Sequence, residues 1–158
     1  MLYQIVSFLL DVVAGLLCSA CLLRIYMQWQ RVPFGNPVGR LVFALSDWMV
    51  LPLRRVVPPL GRWDGASLLA AWLVELAQYT LLWLLLGAVG GALWLPVLAF
   101  FGLVRVAITG MIGLIIVYAV LSWVQARSPI SDVIGRLCDP VLRPVRRIVP
   151  LVGGIDLS

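Results

Sequence analysis

Asp11, Glu75 and Arg105 each interrupt a stretch of sequence that is otherwise almost wholly apolar. A charge inside a hydrocarbon layer is costly unless it is paired or wet, so such a residue either sets the register of packed helices or belongs to an ion or proton path. Both readings apply to these three positions, with Ser67, Ala71, Gln78 and Tyr79 sharing the helical face of Glu75, and Asp11 and Arg105 expected near enough to pair. A second chemical set is the pair of segments Pro52-Leu53-Arg54-Arg55-Val56-Val57-Pro58 and Pro144-Val145-Arg146-Arg147-Ile148-Val149-Pro150. Arginine stays protonated and its planar fork suits phosphate, so Arg54, Arg55, Arg146 and Arg147 read as lipid- or partner-binding residues rather than catalytic ones. Cys18 and Cys21 could in principle hold a metal or form a redox pair. No third or fourth ligand accompanies them, and they are read as small residues at a helix contact.

The sequence has no His, and all twelve of its basic residues are Arg. Histidine is the usual general base, proton shuttle and neutral metal ligand. There is also no nucleophile and base pair, no metal quartet and no glycine-rich phosphate loop, so no enzyme, catalytic residue, metal or cofactor is expected. The net charge of +5 points to anionic phospholipid or an acidic partner. Nucleic acid is not expected, because the basic residues adjoin apolar stretches.

Those residues need elements to hold them, and composition says which kind. A chain with 63% hydrophobic residues, 12% charged residues and a mean hydropathy of +1.06 has more apolar surface than a soluble core absorbs. The expected fold is all-α and membrane-embedded. Three apolar stretches have the ~20 residues that a crossing needs: Leu2 to Leu23, ended by Arg24; Ala66 to about Ala88; and about Val106 to Val124. Pro96 and Arg105 are expected to divide this last helix from a short interfacial piece before it. Gln4, Ser7, Asp11, Ala14, Gly15 and Cys18 put small and polar groups on one face of the first span, the face that should meet another helix.

A shift of 92 residues, the distance from Arg54 to Arg146, also carries Pro37 onto Pro129, Asp47 onto Asp139, Gly61 onto Gly153 and Asp64 onto Asp156. The chain is therefore two parallel repeats, 1–88 and 89–158, each with a surface unit, 24–64 and 125–156. In the first unit Asn36-Pro37 starts a helix with an apolar stripe at Leu41, Val42, Leu45, Trp48 and Met49, interrupted at Pro52. In the second, Ser128-Pro129 leads to Ile130, Val133, Ile134 and Leu137, and Pro140 and Pro144 should leave this helix less continuous than the first. Both read as amphipathic segments lying on the membrane. Asp64 leads into a span, whereas Asp156 is followed only by Leu157 and Ser158, so a fourth span is expected and missing. The arginines gather in the two surface units, which predicts that both face the cytoplasm with the amino terminus outside.

The order of span, Asn/Ser-Pro surface helix, Asp-x4-Pro-x-Arg-Arg-x-x-Pro, Gly and Asp resembles the YggT family of bacterial and plastid membrane proteins. The matching positions are Asp47, Pro52, Arg54, Arg55, Pro58 and Gly61, and again Asp139, Pro144, Arg146, Arg147, Pro150 and Gly153. The absent final span departs from the family pattern. The resemblance implies a bacterial inner-membrane protein linked with cell-division neighbourhoods, osmotic-stress tolerance and, in plastids, assembly of membrane complexes, with no reaction assigned. A non-enzymatic scaffold or assembly factor with membrane-protein partners or a homo-oligomer is expected, and a transport or osmotic-response component is the alternative.

Overall fold

The computed structural model describes residues 1–59, 61–124 and 127–148. Pro150, Gly153 and Asp156 of the second repeat lie outside them. The described chain is helical, without strands: α1 (Leu2–Trp29), α2 (Pro37–Arg54), α3 (Gly65–Leu85), a 3-10 turn (Ala92–Trp94), α4 (Leu95–Val124) and α5 (Pro129–Ile148). α1, α3 and the segment containing α4 are long and apolar enough to cross a membrane.

Small side chains decide how the spans meet. Lipid tails are as apolar as leucine, so membrane helices associate where small residues let their backbones approach. α1 buries Ala14, Cys18 and Cys21, while α3 buries Ala66, Ser67, Ala70 and Ala71. Cys18, Cys21, Ala66, Ala70 and Ala71 share one core with Val50 of α2 and Leu103 of α4. Large residues such as Phe8, Leu16, Leu84 and Ile112 stay on the outside.

Local chemistry sets the helix ends. Asn36 accepts from the Gly39 N–H at 2.8 Å and Pro37 occupies the first turn, as the sequence predicts for α2. The turn between α3 and the 3-10 segment needs positive φ at Gly87 (79°) and Gly90 (97°), conformations open to glycine.

Three boundaries differ from expectation. α4 is unbroken through Arg105, because Pro96 lies in its first turn, where a missing N–H costs nothing. α2 continues through Pro52 to Arg54, because only the helix's last turn follows the proline. α5 is continuous over 20 residues and no shorter than α2. Its prolines are four apart and both exposed, so the N–H lost at Pro144 falls opposite the carbonyl of Pro140 on one solvent-facing strip.

The stripe on α2 divides between two surroundings. Val42 packs on the bundle beside Ser46 and Val50, which lie off the stripe, whereas Leu41 and Trp48 point outward. α5 lays Val133, Ile134, Leu137 and Cys138 against the arginine-rich ends of α1 and α4. Tyr26 donates to the Leu137 carbonyl at 2.5 Å and the Cys138 thiol faces the Leu114 carbonyl at 3.4 Å, fastening it there.

Candidate functional site

Two polar centres interrupt the apolar bundle. The first joins α1, α2 and α3 at their arginine-rich end. Arg24, one turn before the end of α1, is only 3% exposed. Its Nη1 donates to Asp47 Oδ1 at 2.6 Å and to Ser46 Oγ at 3.0 Å, and its Nε stands 3.8 Å from Asp64 Oδ2. Arg54 Nη2 reaches the same Asp64 oxygen at 2.5 Å, and Ser67 Oγ donates to it at 2.6 Å. The Phe43 ring lies 4.7 Å from the Arg24 guanidinium carbon, adding a cation–π contact.

Two arginines and two aspartates make this cluster electrically neutral. A buried charge is tolerated only when it is paired and its remaining hydrogen bonds are met. Burial would push the Asp64 carboxyl up, but the hydrogen bonds from Arg54 and Ser67, with the Arg54 charge, outweigh this and hold it below the usual carboxylate range. Asp64 also accepts from the Ser67 N–H at 3.3 Å, capping α3. One side chain thus starts a span and ties two arginines to it.

The second centre lies within the spans. Asp11, Gly15 and Ser19 of α1, Glu75, Gln78 and Tyr79 of α3, and Gly102, Arg105, Val106, Thr109 and Gly110 of α4 line a cavity of about 320 Å³. Asp11 accepts a hydrogen bond from the Gln78 amide instead of pairing with Arg105, and Arg105 makes no ion pair among the described residues. Glu75 is 3% exposed. Its carboxylate faces α4 at Gly102, where an added Cβ would fall on Glu75 Oε2 and crowd the Tyr79 ring. A side chain there would require the Glu75 carboxylate to move.

The sequence-derived candidates therefore separate into groups. Asp11, Glu75 and Arg105 come together around one cavity. Arg54 turns inward to Asp64, whereas its neighbour Arg55 is exposed. Arg146 donates to the Tyr118 hydroxyl at 2.9 Å and, like Arg147, remains exposed. Sequence reasoning missed Arg24, taken as the end of a span, and Gly102. The recurrence of Asp47 and Asp64 in the repeat was a signal that those acids needed a partner. Nothing in the local sequence of α4 marked Gly102.

Beside the cavity, an apolar groove of about 510 Å³ runs between α1 and α4, floored by Ile134 and Leu137 of α5. Gly110 and Gly113 of α4 face open space.

A family model described as CCB3/YggT matches residues 3–85 and 97–158. The Escherichia coli (strain K12) protein named "Uncharacterized protein YggT" is 40% identical over 158 residues, covering 96% of this chain and 80% of the relative. A Vibrio alginolyticus protein named "Uncharacterized protein in proC 3'region" is 34% identical over 155 residues, covering 96% and 84%. No solved structure matches the chain. Two matched segments, the doubled arginine motif and the apolar helices that carry it agree: the chain belongs to the CCB3/YggT family of membrane proteins.

Proposed function

We propose that the protein is a non-enzymatic scaffold or assembly factor for membrane complexes, of the kind that cell division or membrane biogenesis requires. The observation that carries this reading is α4. It is a 30-residue helix that buries only Ala99, Gly102 and Leu103, and its Gly110 and Gly113 open onto the groove against α1. Small residues in a membrane helix allow another helix to approach closely, and here that surface is unoccupied. The lack of His and Lys in the sequence supports a role without catalysis of its own. In this reading the protein sits in the bacterial inner membrane with its amino terminus outside. Both arginine-rich units face the cytoplasm, where Arg55, Arg146 and Arg147 meet anionic phospholipid and Arg54 braces the fold.

Photo-crosslinking from positions 107 and 117, where Ala107 and Val117 line the same groove, tests the scaffold in native membranes. Discrete protein adducts, lost when Gly110→Leu and Gly113→Leu fill the groove, are the expected result; adducts with lipid alone would count against it. Orientation has its own test, with single cysteines at Arg62 and Arg127 in a chain lacking Cys18, Cys21 and Cys138. Both should be shielded from an impermeant reagent added outside intact cells. A transport or osmotic-response role is the second reading, and the polar cavity between α1, α3 and α4 favours it.

A further inference from the structure

The intramembrane cavity is not balanced in charge. Two carboxylates, Asp11 and Glu75, and one guanidinium, Arg105, line it, leaving one negative charge in excess when both acids are ionised. The neutral cluster around Arg24 shows the ordinary solution, an acid for every base, and the cavity departs from it. Asp11 is occupied by the Gln78 amide. Glu75, 97% removed from solvent, takes no hydrogen bond from Gln78, Tyr79 or Arg105 and makes no ion pair among the described residues; its neighbour is the Cys18 thiol, a weak donor. An isolated carboxylate so placed either neutralises or finds a cation, because the desolvation of a lone charge is too costly.

Position supports the same conclusion. Glu75 stands ten residues along α3 from Gly65, about 15 Å at 1.5 Å per residue, near the middle of this 21-residue helix. Asp11 and Gln78 lie farther from the arginine-rich end, so the polar lining extends from mid-span toward the opposite end of the bundle. On the other side of Glu75 the α1 and α3 contact closes on Cys18, Cys21, Ala70 and Ala71, all buried. Ser19 of α1 and Thr109 and Gly110 of α4 extend the lining toward the arginine-rich end as well. Hydroxyls of Ser19, Tyr79 and Thr109 add oxygen atoms around the space, and the missing side chain at Gly102 keeps it open against the carboxylate.

We propose that this cavity is a binding site for one monovalent cation, held at the Glu75 carboxylate within the spans. A proton on Glu75 and a bare alkali cation are the two sources of that charge. The groups facing Glu75 are Asp11 and Cys18 from α1, Tyr79 from its own helix and Arg105 from α4. Asp11 attracts a cation and Arg105 repels one, so a site with weak net charge that loads and empties fits this set. The inference stands apart from the scaffold reading, and binding does not require the ion to cross.

The test uses the full chain and its Glu75→Gln variant in lipid nanodiscs. Infrared difference spectra follow the protonated carboxyl band as pH is stepped, once in sodium buffer and once in a bulky organic cation, and radioactive sodium binding is measured in parallel. If the ion is a proton, one carboxyl titrates at the same pH in both buffers and its band is lost in Glu75→Gln. If sodium competes, the titration moves to lower pH in sodium buffer, and bound sodium is lost in the variant. Gln keeps the shape and hydrogen-bonding capacity of Glu, and an unchanged size-exclusion profile establishes that the variant is folded. Spectra identical in wild type and Glu75→Gln, with no sodium bound above the variant, would overturn the proposal.

Discussion

The two repeats share a motif and use it differently. In the first, the motif acids meet arginines from other helices: Asp47 takes Arg24, and Asp64 takes Arg54 with Arg24 nearby, in a site where Arg24 and Asp64 have side-chain exposures of 3% and 0%. In the second, the position equivalent to Arg24 is Ile116, by the same 92-residue shift. Asp139, the counterpart of Asp47, pairs with Arg143 of its own helix at 2.8 Å, on a surface where Arg143 is 74% exposed. One repeat thus uses its charges as an interhelical lock, whereas among the described residues of the other the motif acid Asp139 pairs only within its own helix. An identical motif does not carry an identical energy, because the dielectric around each copy differs.

Removing the lock's centre should produce the largest effect. Arg24→Gln removes the buried cation that pairs with the half-exposed Asp47 and stands beside the buried Asp64, a change that costs about 3–5 kcal/mol when a buried pair is broken. Equilibrium unfolding in detergent measures it, and Ile116→Leu, an apolar change at an outward-facing position, should be close to neutral by comparison.

Asp64→Asn comes next, at about 3 kcal/mol, since it removes the charge that pairs with Arg54 and puts an NH2 group in place of one of the two carboxylate oxygens. It also carries a pH signature. The Asp64 carboxyl lies below its ordinary carboxylate value in the folded protein, so its contribution is complete above that ordinary value and is lost as pH falls through the lower folded one. Wild-type stability should decline in that acid window, and the Asn variant should decline less steeply there.

Neighbouring arginines sharpen the contrast further. Arg54→Gln should cost about 1.5–3 kcal/mol of stability, the range for a hydrogen bond to a charged partner. The double change Arg55→Gln and Arg147→Gln should leave unfolding unaltered and weaken anionic-lipid retention in native mass spectra by about 1 kcal/mol per arginine. Asp139→Asn should produce the smallest shift, about 0.3–0.5 kcal/mol, as exposed pairs four residues apart on a helix do. If Asp139→Asn matched Asp64→Asn, the difference between the repeats would collapse.

Much of the architecture was legible because it rests on additive, local signals. Span length, apolar composition and the doubled motif each follow from residue type and count, and the Asn36 cap is a matter of one side chain and its nearest N–H groups. Arg24 was misread for a physical reason: a charge at the end of an apolar run ordinarily marks the membrane surface, and only the return of α2 and α3 brings it acids 23 and 40 residues away in sequence. The continuity of α4 and α5 was obscured because a proline's cost depends on whether its missing N–H had a partner to lose, which sequence spacing does not state. In the cavity, Glu75 and Gln78 could be placed on one seam from α3 alone. That Asp11 would take the Gln78 amide and that Gly102 would face Glu75 depend on how α1 and α4 are rotated, which no local pattern encodes.

The arginine lock also imposes an order on biosynthesis. Arg24 is made before either of its acids, and Asp64 follows it by 40 residues. At a synthesis rate of about 5–20 residues per second this is a delay of about 2–8 s before the Arg24 site holds both of its acids. The first helix cannot complete its burial on its own schedule. Its charge is matched first by Asp47 of the surface helix and then by Asp64 at the start of α3, so the first repeat assembles as a unit rather than one span at a time.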